Sequence, residues 1–151
     1  TETTETLMLK LAILASDIIN TDMEKLVKGE LYSKEQNESE ATYCFTTDIS
    51  KEKAEIKFDT DINLAERMIR AFYPWPIVWF EIVQGKHKGK KVKVYKISNI
   101  KHQVSKERQL TLVKEGKFLT LQLSKGVLYL EEIQLEGKQK ANGKDYLYLV
   151  N

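Results

Sequence analysis

Two patterns of apolar residues divide the chain, one with the period of a helix and one with the period of a strand. From about Leu7 to Val27, apolar side chains recur every three or four residues, which predicts an amphipathic helix. Its first half is apolar nearly all round, because Leu9 and Ile13 lie opposite the main stripes. Such a helix normally packs inside a larger body; packing on the following domain alone is the alternative. Gly29 is a suitable residue to end it.

A second, shorter helix is predicted after a polar linker. Residues 30–48 have neither period and are interpreted as an extended linker, after which Ser50 can cap a short turn and residues 55–58 can add an extended piece. From Asp61 an amphipathic helix begins, with one apolar face formed by Ile62, Ala65, Ile69 and Phe72. Pro74 ends this helix, because proline disfavours the helical conformation of the residue before it.

Beyond residue 76 the apolar pattern changes to period two. It predicts five strands, at residues 77–83, 90–97, 109–114, 117–123 and 127–135. Consecutive short strands with no intervening helix are typical of a small closed barrel, and the oligonucleotide-binding (OB) fold is the five-stranded choice. The predicted fold class is therefore α+β: an N-terminal helix and linker, a short helix, and a five-stranded OB-like antiparallel β-barrel.

The charge of the chain is distributed unevenly. Residues 1–75 hold nine Lys and Arg against fifteen Asp and Glu (net −6), whereas residues 76–151 hold fifteen against seven (net +8). A basic half favours phosphate-rich partners. Within it, one predicted hairpin carries a cluster of five lysines: Lys86, Lys88, Lys90, Lys91 and Lys93. A solvated turn is the alternative explanation for this cluster.

Composition excludes several classes of protein and site. No apolar run reaches the roughly 20 residues of a membrane span. The N-terminus lacks a signal peptide and an initiator Met, which indicates an excised piece. Cys44 is the only cysteine, so a disulfide framework is excluded and a reducing cytosol is favoured. His87 and His102 lie among lysines in predicted turns without neighbouring ligands, so we expect no metal site and identify no catalytic residue.

Four short motifs occur in order along the chain. They are ESEATY at 38–43, ISKEKAEIKF at 49–58, IRAFYPWP at 69–76 and IQLEGKQK at 133–140. In this order and spacing they resemble the C-terminal part of methionyl-tRNA formyltransferase, over essentially the whole chain. Four residues depart from the pattern of that family without removing a catalytic group: Glu35, Tyr73, Ile77 and Leu135, which stand for proline, asparagine, glycine and proline.

The resemblance implies three regions and a role in translation initiation. Residues 1–29 match the terminal helix of an absent formyltransferase catalytic domain, 30–58 the linker, and 59–151 a C-terminal OB-like tRNA-binding domain. The family transfers a formyl group from formyl-tetrahydrofolate to the amino group of methionyl-initiator-tRNA in the cytoplasm. Its Asn-His-Asp constellation and Ser-Leu-Leu-Pro motif are not present in this sequence. We therefore expect this chain to be inactive alone and to bind neither a cofactor nor a membrane. Its expected partners are initiator methionyl-tRNA and the upstream catalytic domain.

The resemblance also implies positions for tRNA contact. Lys51 matches a linker lysine that faces tRNA, while Lys138 and Lys140 fall in a Gly-Lys-Lys motif whose second lysine is Gln139 here. A solvated lysine is the alternative for Lys51. The three residues Pro74, Trp75 and Pro76 are interpreted as a structural hinge, with Trp75 packed rather than stacking on a base. Beside them, Arg70 is either a tRNA contact or an ion-pair partner on the helix surface.

Two other functional classes remain open. The same architecture occurs in sugar-nucleotide formyltransferases, where the barrel does not serve tRNA; the Pro-Trp-Pro tryptophan and the run at residues 134–138 favour the tRNA enzyme. A protein-interaction barrel is the other alternative, and salt-sensitive RNA binding would argue against it. Because the strands show no cluster of exposed aromatic residues for stacking, we expect RNA to be held through phosphates with little sequence preference.

Overall fold

A computed structural model describes residues 2–150, and its main elements follow the predicted order. The helices are α1 (Thr4–Val27) and α2 (Ile62–Ala71). The strands are β1 (Val78–Glu81), β2 (Lys91–His102), β3 (Thr111–Glu115), β4 (Phe118–Leu123), β5 (Gly126–Leu135) and β6 (Ala141–Asn142). Two 3₁₀ segments add to these, a short one at Thr46–Asp48 in the linker and a longer one at Gly143–Val150.

All strand pairs in the sheet are antiparallel, in the order β1-β2-β5-β4-β3, with β6 beside β5. Strands β3, β4 and β5 follow one another as hairpins, and β5 pairs with the earlier strand β2. The resulting order β2-β5-β4-β3 is a Greek-key arrangement. The predicted α+β class with a barrel-like sheet is confirmed. The outer edge of β1 pairs with the linker, through an isolated parallel bridge between Glu55 and Trp79. The segments next to β1 and β3 meet through side chains, where the Gln109 side-chain amide donates a hydrogen bond to the Gln84 side-chain oxygen at 2.9 Å.

Two features of the sheet differ from the sequence prediction. Strand β2 continues past residue 97 to His102, which therefore lies in a strand and not in a turn. Its pairing with β5 shifts register between Val94 and Asn99, and such bulges break the alternation on which a period-two prediction depends. The second feature is β6, which was not predicted. Because this strand has only two residues, it is too short to produce a periodic pattern of apolar residues.

The core lies between α2 and the inner faces of the strands. Ile62, Ala65 and Ile69 of α2 are buried there, as predicted for its apolar face. Asp61 caps the helix by accepting hydrogen bonds from the amides of the next turn, Asn63 at 3.0 Å and Leu64 at 2.9 Å. Helix α2 approaches β5 so closely that a Cβ added at Gly126 would lie 2.6–2.9 Å from side-chain atoms of Ile62.

The end of the linker is part of the barrel. The Ser50 hydroxyl accepts a hydrogen bond from the Lys53 amide at 3.3 Å, in the turn expected from the sequence. Residues 54–56 then run parallel to β1: the Trp79 amide donates to the Ala54 carbonyl at 3.0 Å, and the Ile56 amide donates to the Trp79 carbonyl at 2.8 Å. Ala54 and Ile56 are both buried, so this segment contributes side chains to the core.

Helix α1 lies against the rest of the chain only at its first turn. The Thr4 hydroxyl donates to the Ala71 carbonyl at 2.5 Å, and Arg70 donates to the Glu2 carbonyl at 3.0 Å. No residue of α1 is buried, and its large apolar side chains are between 46% exposed, at Leu7, and 79% exposed, at Val27. The alternative in which α1 packs on the following domain is therefore wrong. Within residues 2–150, no helix combines the length and the apolar character that crossing a bilayer requires.

The segment Pro74-Trp75-Pro76 connects α2 to β1, and both peptide bonds that precede its prolines are cis. A hydrogen bond from the Ile77 amide to the Phe72 carbonyl, 3.0 Å long, closes the segment. Ile77 itself has a φ of 67°, in the left-handed region, although its side chain is only 7% exposed. A β-branched residue rarely adopts this conformation. The resemblance places a glycine at this position, and the backbone here keeps the geometry that glycine favours.

Candidate nucleic-acid interface

The antiparallel pairing of β1, β2 and β5 places basic and aromatic side chains on one outer surface. Trp79 faces Lys93 across the β1–β2 pair, and Lys93 faces Gln134 across the β2–β5 pair. The alternate positions, such as Val78, turn inward and are buried. We call this outer surface the β2 face; it consists of Trp79, Glu81, Lys91, Lys93, Tyr95 and Gln134. The Tyr95 hydroxyl hydrogen-bonds to the Gln134 amide oxygen at 2.8 Å.

The linker brings Lys51 to the edge of the β2 face. The indole N–H of Trp79 donates a hydrogen bond to the Lys51 carbonyl, 2.7 Å long. The pKa of Glu52 is lowered chiefly by its own backbone N–H and by the Ser50 hydroxyl, with a contribution from the positive charges of Lys51 and Lys91. A linker lysine and a strand lysine are thus close enough to act on the same carboxylate.

The turn after β5 adds the two remaining lysines implied by the family motif. The Lys138 amide donates to the Leu135 carbonyl at 2.9 Å, and the Gln134 side-chain amide donates to the Lys138 carbonyl at 2.9 Å. Lys140 has its ammonium group 3.0 Å from Glu132 and 5.1 Å from the centroid of the Tyr95 ring. The hydrogen bond to Glu132 raises the pKa of Lys140.

Between the strand lysines and this turn lies a shallow depression of about 250 Å³. It is lined by Lys91, Lys93, Gln134, Leu135, Glu136 and Gly137. Its lining includes two lysines, and a phosphate needs positive charge. The Lys91 ammonium itself lies over the Trp79 ring, on the β1 side of β2. Glu136 is the acidic member of the lining, and its carboxylate accepts a hydrogen bond from the Lys91 amide at 3.2 Å.

The other hairpin lysines lie on the loop between β1 and β2. Lys86 and Lys88 are at its tip and Lys90 is next to the start of β2. The loop is held by a hydrogen bond from the Gly89 amide to the Ile82 carbonyl at 2.8 Å. Its two glycines have positive φ, as this tight reversal requires. His87 packs its ring 5.8 Å from that of Tyr148, in the C-terminal 3₁₀ segment.

Most of the eight candidate lysines form no ion pair, a state they share with other cations of residues 2–150 such as Lys101, Lys106 and Arg108. All eight are exposed. Among residues 2–150, the ion pairs involve only Lys140 of these eight, whereas Lys25, Lys28, Lys53 and Lys96 are each paired with a carboxylate. Ammonium groups without a bound carboxylate need not break an ion pair before they meet a phosphate. The β2 face therefore carries cations in a state suited to anion binding.

The proline-rich segment differs in part from its interpretation. Pro76 is buried, but the Trp75 side chain is 58% exposed. The prediction that this indole packs against the protein is therefore wrong within residues 2–150. The hinge role of Pro74, Trp75 and Pro76 stays a prediction. Arg70 forms a bidentate ion pair with Glu66, at 2.6 and 3.0 Å, which confirms the ion-pair alternative for this residue.

Sequence reasoning missed two contributions to the surface. Trp79 and Tyr95 are half-buried beneath lysines, and period two could have placed both on the outer side of their strands. A second basic group surrounds the β2–β3 loop: Lys101, Lys106, Arg108 and Lys125. It forms because the Ser105 amide donates to the Ser124 carbonyl at 2.9 Å, a contact between distant segments that local pattern does not encode.

Fold and surface together define a small α+β domain with a barrel-like sheet and a basic outer face. The family model for the formyl transferase, C-terminal domain, matches residues 48–149. This is more than half of the chain, so the protein belongs to the formyltransferase C-terminal domain family. The matched region begins at the turn that carries Lys51 and includes α2, the whole sheet and all eight candidate lysines.

Proposed function

We propose that this chain is the tRNA-binding C-terminal portion of a methionyl-tRNA formyltransferase. Membership of the formyltransferase C-terminal domain family supports the class of enzyme, and the four ordered motifs favour the tRNA enzyme within that class. The observation that carries the proposal is the β2 face with Lys51 at its edge. There, Lys51, Lys91 and Lys93 come from two distant segments and none joins an ion pair among residues 2–150.

The proposed role is to hold and orient tRNA while another domain carries out the chemistry. Lysines that contact phosphates fix the position of a nucleic acid without reading its bases. The formyl group passes from formyl-tetrahydrofolate to the amino group of methionyl-initiator-tRNA in the parent enzyme, and this chain supplies affinity and orientation in the cytoplasm. Selection of the initiator then depends mainly on the catalytic domain.

A salt titration of tRNA binding tests this proposal. Neutralising about three to five phosphates gives a slope of about −2 to −4 in log affinity against log salt. Replacing Lys91 and Lys93 together by Gln should reduce the steepness by about one to two units, since each phosphate-binding lysine contributes about one. A matched control replaces two ion-paired lysines, Lys25 in α1 and Lys28 at its C-cap, by Gln and should leave the slope unchanged.

A second variant separates the loop tip from the β2 face. Changing Lys86, Lys88 and Lys90 to Gln should also flatten the slope if the tip reaches the same RNA. The proposal requires the loss in the Lys91 and Lys93 variant. It fails if tRNA binding is undetectable at low salt, or if that variant retains the wild-type slope. Binding of a sugar nucleotide instead of tRNA would favour the sugar-nucleotide formyltransferase.

A further inference from the structure

We propose that Trp79 is a positioning residue for tRNA binding, which holds Lys51 through its indole nitrogen and Lys91 through its ring. The inference rests on the proposed function and adds to it a residue that carries no charge. Trp79 occupies the centre of the arrangement because it belongs to β1, between the linker on one side and β2 on the other.

On the linker side, Trp79 makes three hydrogen bonds. Its amide and carbonyl pair with Ala54 and Ile56 at 3.0 and 2.8 Å, and its indole N–H reaches the Lys51 carbonyl at 2.7 Å. The indole nitrogen can only donate, so the carbonyl of Lys51 is a partner it needs in this half-buried place. The backbone pairs fix residues 54–56, and of the three bonds only the indole one reaches Lys51 itself. The turn around Lys51 is also closed by a hydrogen bond from the Ala54 amide to the Ser50 carbonyl, 3.1 Å long.

On the strand side, the ammonium group of Lys91 lies 4.2 Å from the centroid of the Trp79 ring. This distance is within the range of roughly 6 Å for a cation–π contact, and tryptophan is the best aromatic partner. In the register Trp79 faces Lys93, so Lys91 is its diagonal neighbour. A lysine loses much rotamer freedom when it binds a ligand, and a contact that holds the side chain beforehand lowers this cost.

The geometry assigns Trp79 a role different from that of a stacking platform. The Lys91 ammonium lies over the ring of Trp79, and the indole N–H of Trp79 donates its hydrogen bond to the linker. What Trp79 supplies is a fixed spacing between the backbone that carries the linker lysine and the ammonium group of a strand lysine, so that both lysines can meet one run of phosphates. Loss of either attachment should lower RNA affinity while the net charge of the chain stays the same.

The test compares Trp79→Phe, which keeps a ring but removes the N–H, with Trp79→Leu, which removes both. Loss of one hydrogen bond predicts a tRNA affinity about 2- to 10-fold lower for Trp79→Phe at low salt, and a larger loss for Trp79→Leu. Trp75→Phe is the matched control on the exposed tryptophan and should bind as the wild type does. The Lys51→Gln variant keeps the carbonyl but lacks the charge. In that background Trp79→Phe should therefore have little further effect.

The outcomes separate this inference from the proposed function. If Lys51→Gln weakens binding and Trp79→Phe does not, Trp79 has no positioning role and the proposed function stands. If neither Lys51→Gln nor Lys91→Gln changes binding, the proposed function fails. Should the Trp79 variants not fold, hydrogen exchange of the indole proton in the intact wild type answers the question. tRNA should slow that exchange, and an unchanged rate would overturn the inference.

Discussion

Replacing Ile77 by glycine and by alanine separates the cost of its backbone from the contribution of its side chain. The φ of 67° is unfavourable for any residue with a Cβ and especially for a β-branched one. The side chain is nevertheless 7% exposed, so its burial compensates for the conformation. Glycine removes both the side chain and the backbone cost, whereas alanine removes most of the side chain and keeps the backbone cost.

The magnitudes decide the order of stability. Truncation of a buried isoleucine to alanine costs about 2–5 kcal/mol. Relative to alanine, glycine avoids the cost of the left-handed conformation, about 1–2 kcal/mol. Its greater freedom in the unfolded chain lowers the stability of the folded state by about 0.5–1 kcal/mol. Both variants should therefore be less stable than the wild type, with the glycine variant at least as stable as the alanine variant and by up to about 1.5 kcal/mol more stable.

Urea denaturation followed by circular dichroism measures this difference, provided that the m-values of the variants agree. Ile82 is the control, because it is 6% exposed and is not among the residues with positive φ. There the order should reverse, with glycine about 0.5–1 kcal/mol less stable than alanine. An Ile77→Ala variant more stable than Ile77→Gly, the order expected at Ile82, would refute the argument that the backbone at position 77 is strained.

Three further predictions follow from the fold and the proposed function. Gly126→Ala should lower the free energy of unfolding by about 1–3 kcal/mol in urea, because its Cβ would overlap Ile62; an unchanged midpoint would mean that α2 shifts freely. The exposed apolar face of α1 should make the isolated chain self-associate or its helix fray, and a strictly monomeric sample in which residues 7–19 are strongly protected from hydrogen exchange would contradict this. Purified alone, the chain should not formylate methionyl-tRNA above background with formyl-tetrahydrofolate, since its sequence lacks the catalytic motifs of the family.

The sequence predicted most of the fold, because most of its elements have local causes. The helix at Ile62–Ala71 has an apolar face, an N-cap at Asp61 and a proline beyond its end, and each can be recognised without tertiary contacts. All five strands contain their predicted centres. The prediction failed where pairing overrides pattern, at the bulged end of β2 and at β6.

The sequence could predict which lysines belong to the candidate site, but not how the fold brings them together. Composition identified the lysines of the β1–β2 hairpin, and family resemblance added Lys51. Only the parallel pairing of residues 54–56 with β1 brings Lys51 to Trp79. That pairing joins segments more than twenty residues apart, and its single bridge leaves no periodic signal in either segment.

The same pairing has a consequence for the solubility of the chain during synthesis and storage. A bare β1 edge would offer unpaired amides and carbonyls to any other strand, which is a common start of edge-to-edge aggregation. Residues 54–56 occupy that edge, held by two backbone hydrogen bonds to Trp79 and by the burial of Ala54 and Ile56. Local opening of this segment demands less free energy than global unfolding. Aggregation should therefore begin from molecules whose barrel is still folded, at a rate set by how firmly the linker is attached.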